Sequence, residues 1–189
     1  MAAFRGSCLP CSIRHRAHLR WPAPSSSTWP RCTGALDHST WTVLHHLFPE
    51  ANIPVFQLSL DVAKSMREHF DLARQLRFLR ERGVLIVGSG HIVHNLRQSM
   101  PKLMMGDATP YDWATEFDEW VKAKIDQRDF ASLVKYQQAG PSGPLSVPTT
   151  DHYLPVLYSL GLAEEDEPIT HTFEEVSYGG LSMRTFMVG

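Results

Sequence analysis

Two short apolar runs bracket an amphipathic stretch in the middle of this sequence, and that arrangement restricts the fold more than any other feature. Ile53-Pro54-Val55-Phe56-Gln57-Leu58-Ser59-Leu60 is mostly apolar, the pattern of a strand covered on both faces. Val84-Leu85-Ile86-Val87 repeats it. Between them Met66, Phe70, Ala73, Leu76 and Leu79 recur every three or four residues, which predicts a helix with one buried face. Asp61 stands where it can cap that helix, and Gly83 where it can end it. Strand, helix, strand within this span is a right-handed βαβ crossover. The predicted class is therefore α/β, a mostly parallel sheet flanked by helices.

The remainder reads as helices followed by a strand pair. Residues 39–48 form a short helix with Trp41, Leu44, Leu47 and Phe48 on one side. Residues 113–125 carry Phe117, Trp120, Val121 and Lys124 at helical spacing, and 130–138 follow as a shorter helix. Residues 139–144, rich in Gly and Pro, read as a loop. A helix starts near Asp151 and stops at Gly161, with Pro155 tolerated in its first turn. Residues 169–177 and 181–188 are two strands joined as a hairpin at Tyr178-Gly179-Gly180.

Composition narrows the function classes. Of 189 residues, 43% are hydrophobic and 20% charged, enough to bury a core. No run approaches eighteen apolar residues, which argues against a membrane-spanning helix. The net charge of −2 gives no case for nucleic acid as a partner. The charge is uneven, however. Residues 1–33 hold five arginines and no acidic residue, while residues 34–189 hold 13 basic and 20 acidic residues. The start is thus an atypical segment, read as a disordered tail. Its Arg- and Ser-rich character fits a transit peptide in composition, but the amphipathic stripe is poor. Cys8, Cys11 and Cys32 all fall within it. A lone Cys8-Leu9-Pro10-Cys11 has no partners at metal spacing. The cysteine-free body, residues 34–189, fits a reducing, cytoplasmic compartment.

Chemistry concentrates where histidines follow turns. Gly88-Ser89-Gly90-His91-Ile92-Val93-His94-Asn95-Leu96 comes directly after the second apolar run, at the strand end where open α/β sheets bind ligands. It is not a dinucleotide loop, because Val93 stands where the third glycine belongs. The Gly-Ser-Gly turn admits a close backbone approach. His91 and His94 are three apart, so on a helix they would share a face. Neutral imidazole serves as metal ligand or general base near pH 7; alternatively one caps the turn and the other packs in the core. Asp37-His38 is either a carboxylate–imidazole pair or a helix cap beside an exposed ring. Asp151-His152-Tyr153 stands at a helix start, where an imidazole stays neutral, or is again a cap. His45 and His46 read as packing or surface residues, and His69 and His171 as surface residues. Neither a G-x-S-x-G elbow nor a P-loop is present.

These segments resemble the class III extradiol ring-cleavage dioxygenases, in their 4,5-DOPA dioxygenase branch and of the catalytic-subunit type. The resemblance rests on Leu36-Asp37-His38-Ser39-Thr40-Trp41, on residues 53–61 and on residues 88–97. It rests equally on Asp151-His152-Tyr153-Leu154-Pro155-Val156-Leu157-Tyr158 and Tyr178-Gly179-Gly180-Leu181-Ser182-Met183-Arg184. It implies one Fe(II) or Zn(II) per chain that holds a catechol and then O2, with ring opening next to the diol. His94 is similar to the histidine assigned to metal binding or proton transfer, and His152 to a further metal histidine. His38 resembles one that contacts substrate or oxygen. Asp151 is an added oxygen donor by position. Two more histidine motifs of the family, a His-Gly-Ser-Pro and a Ser-Ala-His-Trp, are not in the sequence. Ser39 stands where the family usually has glycine. The expectation is a partial extradiol dioxygenase domain over residues 34–189, lacking the family's N-terminal segment. The alternative is a catalytically inactive truncated relative that acts at most as a binding or interaction protein. A zinc hydrolase on the same scaffold would need a carboxylate base that no spacing selects.

Overall fold

A computed structural model describes residues 38–189, and the chain falls into two compact units, Met1–Leu60 and Asp61–Gly189. Residues 1–33, with their three cysteines, lie outside the described residues, and so does Asp37.

In the first unit, helix α1 (His38–Leu47) falls within a residue of the expected 39–48. The face expected to be buried is only partly covered: Trp41 and Leu47 are more than half exposed. Residues 53–60 form no ladder among the described residues, although Gln57 meets the Thr40 hydroxyl at 3.2 Å.

The second unit opens on α2 (Met66–Gln75). Its cap is Ser65, not the expected Asp61. The Ser65 hydroxyl accepts from the Glu68 N–H at 3.3 Å, and the Glu68 carboxylate accepts from the Ser65 N–H at 2.8 Å. This reciprocal box satisfies two orphan donors at once. Asp61 instead accepts from the Ala63 N–H within its own turn. The helix runs on into a 3-10 turn (Arg77–Arg82) and ends at Gly83, whose φ of 74° is the left-handed conformation foreseen there. Phe70 and Ala73 form the buried stripe against α7 (Leu154–Gly161). The contact is close because Gly161 faces it. A Cβ on Gly161 would lie 2.6 Å from the Ala73 Cβ.

Residues 84–87 likewise form no ladder among the described residues, and Leu85 is 70% exposed. A strand exists only through neighbours that pair its N–H and C=O groups, so apolar patterning alone did not produce one. The α/β class and the C-terminal strand pair stand. The parallel strands expected at 53–60 and 84–87 are the correction.

Five further helices follow Gly83: α3 (Leu96–Met105), α4 (Asp112–Asp126), α5 (Phe130–Val134), α6 (Ser142–Ser146) and α7. Phe117, Val121, Ile125, Leu133, Leu157 and Leu160 are fully buried and make the core. The expected helix over 130–138 is divided at Lys135 into α5 and a 3-10 turn (Tyr136–Ala139). The expected loop over 139–144 is overturned in part, since α6 starts inside it. Gly143 permits this: a Cβ there would come within 2.5 Å of the Tyr136 carbonyl. The chain closes as the foreseen hairpin, with each arm interrupted. Strand β1 (Ile169–Phe173) pairs antiparallel with β4 (Thr185–Val188), and β2 (Val176–Ser177) with β3 (Leu181–Ser182). No helix of the described residues is long and apolar enough to cross a membrane.

Candidate metal centre

The backbone builds the site first. Gly88 and Gly90 lie against the start of α7, where a Cβ on Gly90 would fall 2.3 Å from the His152 carbonyl oxygen and one on Gly88 2.8 Å from that of Pro155. Only glycine admits that approach. It lets the His91 N–H donate to the His152 carbonyl at 3.0 Å, joining two stretches sixty-one residues apart. Three residues on, the His94 N–H donates to the Ser146 carbonyl at 2.9 Å. Asn95 ties the segment down further. Its side-chain amide donates to the Leu145 carbonyl, and its Oδ1 caps α3 through the Gln98 N–H. Residues 91–94 are therefore not helical, and the shared helix face expected for His91 and His94 is not what brings them together. Backbone contacts with α6, α7 and the C-terminal hairpin do so instead.

The rings of His91, His94 and His152 converge. Each offers one nitrogen, and these three atoms lie within 4.8 Å of one another. His91 Nδ1 and His152 Nδ1 are 3.3 Å apart, and the His94 and His152 rings stack with centroids 3.5 Å apart. Two nitrogens on one tetrahedral zinc, each about 2.0–2.1 Å from it, stand roughly 3.3 Å apart, so the His91–His152 pair already has that separation. Burial, then the neighbouring His152 and His91, push His94 down to about 4, with Asp151 opposing. His91 is lowered by burial and by His152. Both rings are thus neutral at pH 7, the form in which imidazole can hold a cation or take a proton. No hydrogen bond to the His94 ring is found among the described residues. Asp151 approaches His152 Nε2 only to 3.7 Å. Its carboxyl is held low chiefly by a hydrogen bond from Thr149, so it remains an anion beside the cluster. Asp151 caps no helix, because Tyr153 occupies the N-cap of α7 without a side-chain bond. The donor set, three nitrogens beside a carboxylate, fits a divalent transition metal.

His94 and His152, both singled out from sequence, are brought together. His91 joins them; it was paired with His94 but not counted among the metal ligands, and the signal that finds it is its position directly after Gly90. His38 opens α1 in the other unit, and its side chain lies outside the description. His45 and His46 are exposed, as foreseen. His69 and His171 correct the expectation of surface residues. His69 is 1% exposed, held between the Tyr158 hydroxyl at 2.9 Å and the Asp61 carbonyl at 3.1 Å. The His171 side chain is 8% exposed and bonds Asp126 at 2.9 Å. Both were missed because their partners are remote in sequence.

Comparison with known proteins follows this geometry. Residues 32–186 match the family described as the catalytic LigB subunit of aromatic ring-opening dioxygenase. The 4,5-DOPA dioxygenase extradiol of Escherichia coli K12 is 39% identical over 88% of this chain and 61% of its own length. The protein of the same name from Portulaca grandiflora is 32% identical over 79% of this chain and 54% of its own length. The crystal structure of an uncharacterized protein from Escherichia coli K12 superposes with a TM-score of 0.73 at 42% identity. It covers 82% of this chain and 63% of that one. The chain spans between half and two thirds of the length of these relatives.

Proposed function

The chain belongs to the family of catalytic LigB subunits of aromatic ring-opening dioxygenases, and from that premise we propose that it serves a metal-dependent extradiol opening of a catechol-type ring with O2. A DOPA-like substrate is the reading that the names of its relatives support. Residues 34–189 make the partial dioxygenase domain and 1–33 an atypical tail. The observation that carries the proposal is the meeting of His91, His94 and His152 at mutual nitrogen distances within 4.8 Å.

In this reading His91, His94 and His152 hold one divalent ion, Fe(II) or Zn(II). Such an ion, when bound, lowers the pKa of a chelated catechol hydroxyl. The side chains do the rest. Burial keeps His91 and His94 uncharged at neutral pH, so His94 can bind the cation or accept the proton released by the substrate. The Asp151 carboxylate balances positive charge near His152. His38 is assigned substrate or oxygen contact on sequence alone.

Anaerobic titration of the purified chain with Fe(II), followed by catechol and O2, tests the proposal. One ion per chain and a ring-opened product are expected. A stoichiometry near zero overturns it and leaves the inactive relative as the reading.

A further inference from the structure

The C-terminal hairpin ends in a buried polar cluster that the histidine centre does not contain but leans on. Arg184 and Asp118 are 1% and 3% exposed in their side chains. Arg184 Nη2 donates to Asp118 Oδ2 at 2.5 Å and Nε to the same oxygen at 3.1 Å. The other carboxylate oxygen, Oδ1, accepts from the Ser182 hydroxyl at 2.6 Å. That hydroxyl in turn accepts from the Arg184 N–H at 3.2 Å. On the outer side, Glu174 takes Nη1 at 2.5 Å, and Glu119 lies 3.2 Å from Nη2. Arg184 and Ser182 are thereby fixed to Asp118, a rigid point in the middle of α4.

The same strand carries the wall behind His94. The Ser182 N–H donates to the Val93 carbonyl at 3.0 Å, and the Asn95 N–H donates to the Gly180 carbonyl at 3.2 Å. His94 itself forms an antiparallel bridge with Leu181. The residues on both sides of His94 are therefore hydrogen-bonded to β3 and the turn before it. Ser182 belongs to both systems: its hydroxyl is on Asp118, its N–H on Val93. Gly180 is pinned as well, its N–H donating to the buried Ser99 hydroxyl at 3.1 Å.

We infer that Asp118, acting through Ser182 and Arg184, is a positioning residue that fixes the backbone at His94 and so sets the direction of its imidazole toward His91 and His152. This rests on the reading of His94 as a metal ligand, and it adds the device that holds the ligand in place. Partners one shell removed from a ligand change metal affinity about ten- to a hundred-fold. The chain of contacts here is longer, through one strand, so the lower end applies.

Ser182→Ala removes the hydroxyl link to Asp118, the shorter of the two routes to His94, while leaving Arg184 on Asp118 and the residue-182 N–H on Val93. Two readouts are compared with wild type and with Tyr158→Phe, a change in α7 at its hydrogen bond to His69. One is Co(II) titration followed by its visible absorption. The other is amide hydrogen exchange of the metal-free chain. S182A is expected to weaken Co(II) binding about ten-fold and to speed exchange of the Asn95 amide, which is bonded to Gly180, and of the residue-182 amide, which is bonded to Val93, by a similar factor. Phe70 and Ala73 in α2 should keep their wild-type rates. Y158F should leave Co(II) binding within two-fold. The inference is overturned if S182A stays within two-fold of wild type in both readouts, or if Y158F shifts them equally. Should wild type take up no Co(II), the metal reading fails by itself, and Asn95 exchange alone decides the positioning role. Should S182A not fold, Glu174→Gln, which loosens Arg184 from its exposed side, must move the same amides in the same direction.

Discussion

Five histidines lie in the Asp61–Gly189 unit, and they divide into two kinds. His69 is wholly buried and spends both nitrogens on fixed partners. The Asp61 carbonyl can only accept, so Nε2 carries the proton and Nδ1 receives the Tyr158 hydroxyl. His171 is committed to the Asp126 carboxylate. His91, His94 and His152 are only half-buried, and their nearest polar neighbours are one another. Burial without a partner costs free energy, which His69 avoids at both nitrogens and His171 at Nε2 alone, its Nδ1 being buried without a partner among the described residues. The second kind retains lone pairs that a cation satisfies better than any residue present. Neither burial nor a single unpaired nitrogen therefore marks a functional histidine; the meeting of nitrogens from several rings does.

The difference is sharpest when one member of each kind is removed. His152→Ala takes away the ring that stacks on His94 and meets His91. Metal uptake is expected to fall by at least a hundred-fold in isothermal titration, with urea stability of the metal-free chain changed by less than about 1 kcal/mol, the usual size for a half-exposed side chain. His69→Ala should do the reverse. It leaves a cavity and orphans the Tyr158 hydroxyl, costing about 2–4 kcal/mol in urea unfolding, while metal uptake stays within two-fold. If H69A lost the metal or H152A unfolded the chain, the division would be wrong. Tyr158→Phe is the milder version: it deletes one hydroxyl and leaves His69 Nδ1 unpaired. About 1–2 kcal/mol of stability should go, with no change in metal stoichiometry.

Much of this was legible in the sequence, in proportion to how local each cause is. The Gly83 stop, the hairpin at Tyr178-Gly179-Gly180 and α4 follow from residues close to the positions they control. Gly88 and Gly90 announced a close backbone approach, and the structure supplies its object, the start of α7. The cap of α2 was misplaced although Ser65 and Glu68 stand at capping-box spacing, because Asp61 is an equally good cap by type. The strands at 53–60 and 84–87 failed for a different reason. Their apolar pattern describes burial, whereas a ladder needs a neighbour that pattern cannot name. Its place at a helix start, and then family likeness, singled out His152, but nothing near it in sequence points to His91. The pairing of His69 with Tyr158, eighty-nine residues away, left no local trace at all.

Acid separates the partly exposed Glu167 carboxylate that braces the fold from the histidine centre. Glu167 accepts from Arg80 at 2.5 and 2.6 Å and from the Glu164 N–H at 2.8 Å. Arg80 above all, then the Glu164 N–H, lower its carboxyl to about 2, against about 4.3 for an unperturbed glutamate. A carboxyl whose folded value lies below its unfolded one stabilises the fold above the unfolded value and ceases to do so as pH falls through the folded value. Glu167→Gln should therefore cost about 0.5–1 kcal/mol at pH 7, the upper range for a partly exposed pair. The gap to wild type should narrow below about pH 4.3 and close near pH 2. Thermal unfolding of both proteins from about pH 2 to neutrality measures it, with metal stoichiometry at neutral pH as the companion readout. A gap independent of pH would assign the effect to shape rather than charge. A change in metal uptake would join the Arg80–Glu167 pair to the histidine centre and erase the distinction between committed and uncommitted groups.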